Sequence, residues 1–430
     1  MTTDSAQGHL PKSPKSLRVT LWVLLIVYIF NFLDRQIVNI LAEPISKDLG
    51  LKDWQIGMMA GIAFAAFYTF LGIPIAKFAD RSTTNRVGLI SGSLIIWSAM
   101  TGLCGVAQNF VQMLLSRIGV GVGEAGCTPA SHVLISDLAP PEKRASASSF
   151  YSLGIPIGSL LGMVLGGMIA DNFGWRVAFF VAGLPGIVMA LIVWLVLKDP
   201  RMSGVVAERK VVQELSTRAA LREILGSRAF VYLAIAGASA AFLGYGKATW
   251  TTIFFQRTHA LSPGEVGFWF GIGGGVAGII GTWAGGWFAD NFGKDNRRHV
   301  LTAPAIGMTL AIPLAIAAYW VENWWVALLL IMLPSLFNSL YVGPTYSCAQ
   351  GLVPIRARAM ASAVMLFAQN LIGLGLGPLF FGILSDIVKP VAGDDSVRWV
   401  LYGAALLGLV PAFFFWRASL RLNAELDRKT

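Results

Sequence analysis

The chain has 430 residues, of which 55% are hydrophobic and 13% charged, with a mean hydropathy of +0.66 and a formal net charge of +10. A soluble core of this size cannot hide so much apolar surface, so lipid must be part of the solvent. The positive charge forms no basic face on a soluble domain, which excludes a nucleic-acid partner, and the scattered Cys104, Cys127, Cys348 and four histidines offer neither a disulfide framework nor a metal-ligand spacing.

The first sixteen residues are polar and loop-like, and the run after them is too long and too charged for a cleaved signal peptide. Crossing about 30 Å of hydrocarbon takes roughly 20 residues at a rise of about 1.5 Å each. Runs of that kind fall at 17–41, 55–79, 86–107, 110–137, 145–170 and 175–197. The next stretch, 198–228, is polar and mixed in charge, and its segments ERKVVQEL and TRAALREIL read as short surface helices of a linker. Six further runs follow at 229–256, 264–289, 299–320, 324–352, 359–387 and 397–416, before a polar tail over 417–430. The expected fold is an all-α membrane protein of twelve transmembrane helices, arranged as one six-helix bundle over 17–197 and a second over 229–416.

Lys and Arg set the expected orientation, because cytoplasmic loops hold an excess of both. With the amino terminus inside, 24 of the 33 basic residues fall on the inner side and six on the outer side, the latter being Lys47, Lys52, Arg176, Arg257, Lys389 and Arg398. Both termini are therefore expected in the cytoplasm, in a plasma or inner membrane. Most of the +10 is topology and contact with anionic lipid. Arg35, Arg117 and Lys247 remain inside spans.

The two halves repeat each other. PPEKRASAS at 140–148 recurs as PIRARAMAS at 354–362, matching Pro140, Arg144, Ala145, Ala147 and Ser148 at a constant offset of 214. AKFADR and GGWFADNFG place Asp80 and Asp290 at equivalent inner helix ends. A duplicated six-helix unit around a central site suits alternating access.

These motifs resemble a known family. The helix ends at Asp80 and Asp290 are similar to the signature between the second and third helices of the major facilitator superfamily. The copy at 286–294 follows the signature, whereas the first has Ala76 in place of Gly and Ser82 to Thr84 inserted before Asn85 and Arg86. SRIGVGVGEAG in the fourth span resembles the family's RxxxGxGEA motif, and GGMIADNFGWRVAFF also matches. With NFLDRQIVNILAEP in the first span and FYSLGIPIGSLLG in the fifth, the resemblance is to the spinster branch. It implies a secondary transporter of lysolipids or sphingoid phosphates. NFLDR and RxxxGxGEA also resemble the anion-cation symporters, which implies small organic anions such as sugar acids as the alternative substrates.

Charged side chains inside spans are where function is expected, since each costs about 2.5 kcal/mol or more at mid-membrane without partners or water. A rise of about 1.5 Å per residue places Asp34 about 25 Å along the first span, Arg117 about 10 Å into the fourth and Glu124 about 20 Å into it. Arg117 and Glu124 are seven apart, hence on one helix face. If the first and fourth helices both line the cavity, as the family resemblance implies, Asp34 and Arg117 meet at similar depth. Burial favours the neutral form of an acid and an adjacent Arg favours its charged form. Asp34 and Glu124 are accordingly the expected proton-coupling acids, with Arg35, Arg117 and Lys247 as charge partners or ligands for an anionic substrate. Fixed helix-joining ion pairs and snorkelling of Arg35 and Lys247 are the competing readings.

Tyr28, Asn31, Tyr68, His132, Asn338, Tyr341, Gln369 and Asn370 are polar groups in spans available to a substrate or to neighbouring helices. Asp80, Arg86, Asp137, Arg144, Asp290 and Arg358 sit at inner helix ends, where the family resemblance implies a cytoplasmic gate. GVGEAG at 121–126 matches GxGxxG, but no strand precedes it, so it is not a dinucleotide site. GIGGG at 271–275 lacks the GK[ST] of a phosphate loop. The chain is expected to be no enzyme and to need no cofactor or metal. Its expected partners are a small-molecule or lipid substrate, the proton and the bilayer, and the expected state is a monomer. The carboxyl-terminal half is expected to supply more of the apolar wall, because Asp34, Arg35, Arg117 and Glu124 all belong to the first half.

Overall fold

The computed structural model describes residues 14–81, 83–202, 217–294 and 296–427. Ten stretches among them are long and apolar enough to cross a membrane. One of these, Arg358–Leu426, doubles back at Gly393–Asp395 and makes two crossings. A further crossing over residues 110–138 is interrupted near Gly126, so the described chain crosses twelve times.

The first six helices are α1 (Pro14–Leu49), α2 (Asp53–Asp80), α3 (Arg86–Cys104), α4 (Phe110–Glu124 and Cys127–Leu138), α5 (Ser146–Phe173) and α6 (Trp175–Val196). The second six are α7 (Arg228–Thr258), α8 (Pro263–Phe292), α9 (His299–Trp320), α10 (Trp324–Gly351), α11 (Arg358–Ala368, continuing to Ala392) and α12 (Ser396–Leu406 and Leu409–Asp427). In the linker, Thr217–Gly226 is helical, matching TRAALREIL, while ERKVVQEL lies outside the described residues.

Local chemistry sets the starts. Asn85 accepts from the Gly88 amide, Asn109 from Gln112, Ser227 from Phe230, and Asn323 from Trp325 and Val326. Ser262 and Glu265 cap α8 reciprocally with Pro263 in its first turn. Gly174, at φ +83°, provides the tight reversal between α5 and α6.

The 214-residue repeat extends into the backbone. A short 3-10 turn at Pro141–Lys143 precedes the helix that starts at Arg144, and another at Ile355–Ala357 precedes the one at Arg358. The break after Glu124 in α4 has its counterpart after Ser339 in α10.

Two expected boundaries move. α1 continues past 41 to Leu49 because the charge that ends its apolar run, Glu43, is buried against Arg257. α12 runs through much of the expected tail because Asn423 donates to Asn296 and Glu425 accepts from Ser227 and the Ala229 amide.

The ends at Leu17, Asp80, Leu197, Ser227 and Glu425 form one face of the molecule, called the terminal face, and the opposite end is the distal face. One continuous apolar core occupies the distal side and joins both halves, through Ile37, Met59 and Met163 of the first and Trp250, Val266 and Phe381 of the second. Toward the terminal face the core splits in two. One part centres on Leu24, Trp97 and Leu134, the other on Phe230, Met308 and Phe415. α8 shows the divergence along its own length: Gly267 and Gly271 lie against Met163 of α5, whereas Gly281 and Gly285 lie against Leu336 and Leu340 of α10. Contact between α2 and α11 persists further, to the edge-on pair Phe70 and Phe367. The halves are thus closed at the distal face and parted toward the terminal face.

Candidate functional site

A cavity of about 500 Å³ lies between the halves where the shared core ends. Arg35, Gln36 and Asn39 of α1 and Arg117 of α4 face it from one side. Tyr245, Lys247 and Thr249 of α7, Asn338 and Tyr341 of α10 and Gln369 of α11 face it from the other. Apolar lining comes from both halves, including Phe32, Phe64, Leu160 and Met163 on the first and Leu243, Phe270 and Ile331 on the second. Among the described residues, three cations line the cavity and no Asp or Glu does.

The acids stand just behind two of those cations. Arg35 donates from Nε to Glu124 Oε2 at 2.8 Å, and its terminal nitrogen pairs with the same oxygen at 2.8 Å. Glu124 is fully buried, and its Oε1 has no hydrogen-bond partner among the described residues. The Arg35 guanidinium is held over three aromatic rings, with centroids at 5.0 Å for Phe32, 4.8 Å for Phe64 and 4.6 Å for Tyr68. Snorkelling is therefore not how this arginine is accommodated.

The second pair is looser. Arg117 approaches Asp34 Oδ2 at 3.5 Å, an ion pair without a hydrogen bond, while Thr101 donates to Asp34 Oδ1 at 2.7 Å. Both charges are buried, yet Arg117 Nε and Nη1 have no hydrogen-bond partner among the described residues. The expected meeting of Asp34 with Arg117 is present, with Glu124 joined instead to the neighbouring residue on α1.

Other expected site residues divide. Asn338, Tyr341, Gln369 and Lys247 line the cavity, so the second half supplies polar and cationic wall as well as apolar wall. Gln369 accepts from the Tyr346 hydroxyl at 2.8 Å and opens a π-helical segment, Gln369–Leu376, which also contains Asn370. Such widened turns recur at functional sites. Tyr68 is not part of the cavity lining and lies under the Arg35 guanidinium. Tyr28 stacks on Tyr151 at 4.2 Å, and Tyr151 meets His132 edge-on at 5.2 Å, so these form an aromatic cluster around the buried Tyr151, outside the cavity lining, with His132 exposed. Asn31 is buried with neither amide atom partnered among the described residues.

At the terminal face, Arg86 is fully buried and chelates Asp199 at 2.7 Å and 2.8 Å, and Arg201 pairs with Asp137 at 2.6 Å. Asp199 and Arg201 were not among the expected gate residues, because their place in the charged linker disguised them. Arg201 also donates to the Asp80 carbonyl, and Arg144 to the Ala139 carbonyl. The side chains of Asp80, Asp290 and Arg358 are exposed and make no described ion pair, as expected of a face whose halves stand apart.

Sequence reasoning also missed the distal cluster. Arg257 of α7 donates to Glu43 of α1 at 2.6 Å and to both oxygens of Asp53 of α2 at 2.9 Å each. Ser385 of α11 donates to Asp53 at 2.6 Å, and Asp386 accepts from the Asp53 and Trp54 amides at 3.1 and 2.8 Å. Nearby, Thr249 donates to Asn39 at 2.7 Å and Gln256 to the Ile40 carbonyl at 3.1 Å. Counted only as an outer-loop cation, Arg257 carries no mark in the sequence of its buried partners. Gln36 and Asn39 were legible in principle, since Asn39 lies one turn beyond Arg35 on the same face.

Comparison with known proteins agrees with this geometry. The Major Facilitator Superfamily profile matches residues 24–378. The chain is 32% identical over 425 residues to an MFS-type efflux pump of Mycolicibacterium smegmatis, covering 99% of this chain and 97% of that one. It is 24% identical over 403 residues to the cis,cis-muconate transport protein of Acinetobacter baylyi, covering 90% and 94%. Among solved structures, a bacterial homolog of the human lysosomal transporter Spinster, inward-facing and unoccupied, superposes with a TM-score of 0.87 at 29% identity, covering 96% of this chain and 99% of that one.

Proposed function

This chain belongs to the Major Facilitator Superfamily, and we propose that it carries an anion across the membrane by alternating access, driven by protons. It is a multi-pass membrane transporter and not an enzyme. The observation that carries the anion reading is the cavity between the halves, lined among the described residues by Arg35, Arg117 and Lys247 and by no carboxylate. Such a wall favours an anionic ligand, and the adjacent Phe32, Phe64, Leu160 and Ile331 suit an apolar body attached to it.

The arrangement of acids behind cations supports proton coupling. An anion arriving at Arg35 or Arg117 competes with Glu124 or Asp34 for the same guanidinium, and an acid released from its Arg inside a low-dielectric site takes up a proton. When the anion leaves, the Arg returns and the proton is expelled. Loading and protonation are thereby linked through shared donors, not through distance.

The positive-inside distribution supports placing the terminal face on the cytoplasmic side of a plasma or inner membrane, in which case the present state is inward-facing, and we infer a monomer as the working unit. The motif resemblance to the spinster branch, with which the similarity to the spinster homolog agrees, favours a lipid-like anion such as a lysolipid or sphingoid phosphate. Similarity to the muconate transport protein supports a small carboxylate as the second reading. A thermal-shift panel of the purified protein against lysophosphatidate, glucuronate and cis,cis-muconate tests this. A charged ligand that raises the melting temperature of the wild type and not of Arg117→Ala is the expected result, and stabilisation by neutral analogues alone contradicts the anion reading.

A further inference from the structure

Asn31 of α1, Glu124 and Thr128 of α4 and Tyr151 of α5 each hold a buried polar atom with no hydrogen-bond partner among the described residues, and none of the four lines the cavity. Asn31 is 1% exposed and leaves both amide atoms open. Glu124 and Tyr151 are fully buried, with Glu124 Oε1 and the Tyr151 hydroxyl open.

Helix register sets these groups in a column. α1 leads away from the terminal face and α4 returns toward it. Arg35, Asn31 and Tyr28 therefore step down one face of α1 at intervals of four and three residues, while Glu124, Thr128 and His132 step down α4 at intervals of four. Ala125 and Gly126 keep helical dihedral angles, so this register survives the interruption of α4. Contacts join the two series at both ends. Arg35 pairs with Glu124 at one end, and at the other Tyr28 stacks on Tyr151, which meets His132 edge-on. Asn31 and Thr128 lie one turn from the ion pair, and the exposed His132 ends the column about 12 Å from Glu124 at a rise of about 1.5 Å per residue.

Buried polar groups need partners, and an amide, a carboxylate oxygen and two hydroxyls supply the several donors and acceptors that ordered water requires. A hydroxyl or a water gives one proton while accepting another, so a file of them passes a proton along without moving heavy atoms. The amide of Asn31 holds such water in place. Arg35, Phe32 and Phe64 line the cavity and Glu124 does not, so the guanidinium and its rings stand between the acid and the substrate space.

We propose that Glu124 exchanges its proton with the terminal side through the interior of the first half, along water held by Asn31, Thr128 and Tyr151 and reaching His132, while the substrate anion meets Arg35 from the cavity. This rests on Glu124 as the coupling acid. One proton enters at the His132 end for each one delivered to Glu124 Oε1, and the groups between end as they began. The charged groups that act on Glu124 are Arg35 and Asp34 of α1 and Arg117 of α4. An anion filling the cavity leaves this route open, so the two loads do not queue at one entrance.

The test follows the carboxyl stretch of Glu124 by infrared spectroscopy of the full chain in lipid nanodiscs after a fast drop in pH, the band being assigned by its absence in Glu124→Gln. Asn31→Leu and Thr128→Val each remove a partner for water and are expected to slow its growth about tenfold or more. Thr128→Ser, which keeps the hydroxyl, is expected to retain the wild-type rate. A bulky thiol reagent attached at Ser159→Cys, on the cavity wall, is expected to leave that rate in place as well. Wild-type rates in both Asn31→Leu and Thr128→Val, or protonation stopped by the plug at position 159, would overturn the proposal while leaving the anion and coupling readings intact. Slowing matched by an equal loss of octyl phosphate binding would assign the two side chains to the fold and overturn it too. No Glu124 band at any pH would remove its coupling role and this inference together.

Discussion

Arg257 at the distal face and Arg117 beside the cavity are both arginines buried between helices, yet they are satisfied to very different degrees. Nε, Nη1 and Nη2 of Arg257 each donate to a carboxylate, and those carboxylates are tied in turn to Ser385 and Lys47. Arg117 has, among the described residues, one ion pair at 3.5 Å and two nitrogens with no hydrogen-bond partner. A fully paired buried charge resists change, because each lost bond leaves a desolvated group behind. An under-paired one has capacity for a new partner at little cost. The first arrangement joins the two halves; the second leaves donors open to a further partner.

The largest expected effect comes from breaking the satisfied side of this contrast. Arg257→Ala leaves Asp53 buried without a counter-charge and Glu43 with only the exposed Lys47, and should destabilise the distal-closed state by about 3–5 kcal/mol. An impermeant thiol reagent applied at the distal face should then label Asn39→Cys much faster than in the Arg257 background. Unchanged labelling would mean that the cluster is not a lock.

Next in size, Glu124→Gln should remove pH-gradient-driven accumulation while leaving anion exchange in place, since the donor side of the site survives. Loss of exchange to the same extent would instead make Glu124 a fold-holding residue. Smaller again is Tyr68→Leu, which removes one of the three rings under Arg35 and costs about 0.5–2 kcal/mol of its placement, expected as a several-fold loss of transport rate with little change in melting temperature.

The smallest effect sharpens the distal side. His259, in the loop after α7, packs on Phe254 and Phe255, and partial burial and then the Arg398 guanidinium hold its imidazole below the ordinary value. The folded state thus favours the neutral ring. Its contribution is intact above the unfolded value of about 6.5 and is lost as pH falls through that value toward the lowered one. The melting temperature should fall slightly between pH 7.5 and 5.5, and less so in His259→Gln.

Much of this was legible in the chain itself. Periods of apolar residues gave the twelve crossings, and the offset of 214 located not only the repeated PxxxRAxAS segments but, as the structure shows, the paired 3-10 turns before Arg144 and Arg358. Charges inside spans stood out because lipid makes them expensive, which is why Asp34, Arg35, Arg117 and Glu124 were found. Arg257, Glu43 and Asp53 were not, because near the ends of spans a charge is ordinary and nothing in its spacing tells whether a helix from the other half covers it. Asp199 and Arg201 were hidden in the same way by a linker rich in charge. Pairing across halves is a tertiary property, and no local pattern encodes the partner.

The central claim is that the under-satisfied charges at the cavity couple an anion to protons. The most direct measurement is accumulation of a radiolabelled lysophosphatidate or muconate probe in proteoliposomes under an imposed pH gradient, with and without a protonophore. The account predicts accumulation of one of the two that the protonophore abolishes and that Glu124→Gln lacks. Accumulation that persists without any proton gradient, or that Glu124→Gln retains in full, would contradict it.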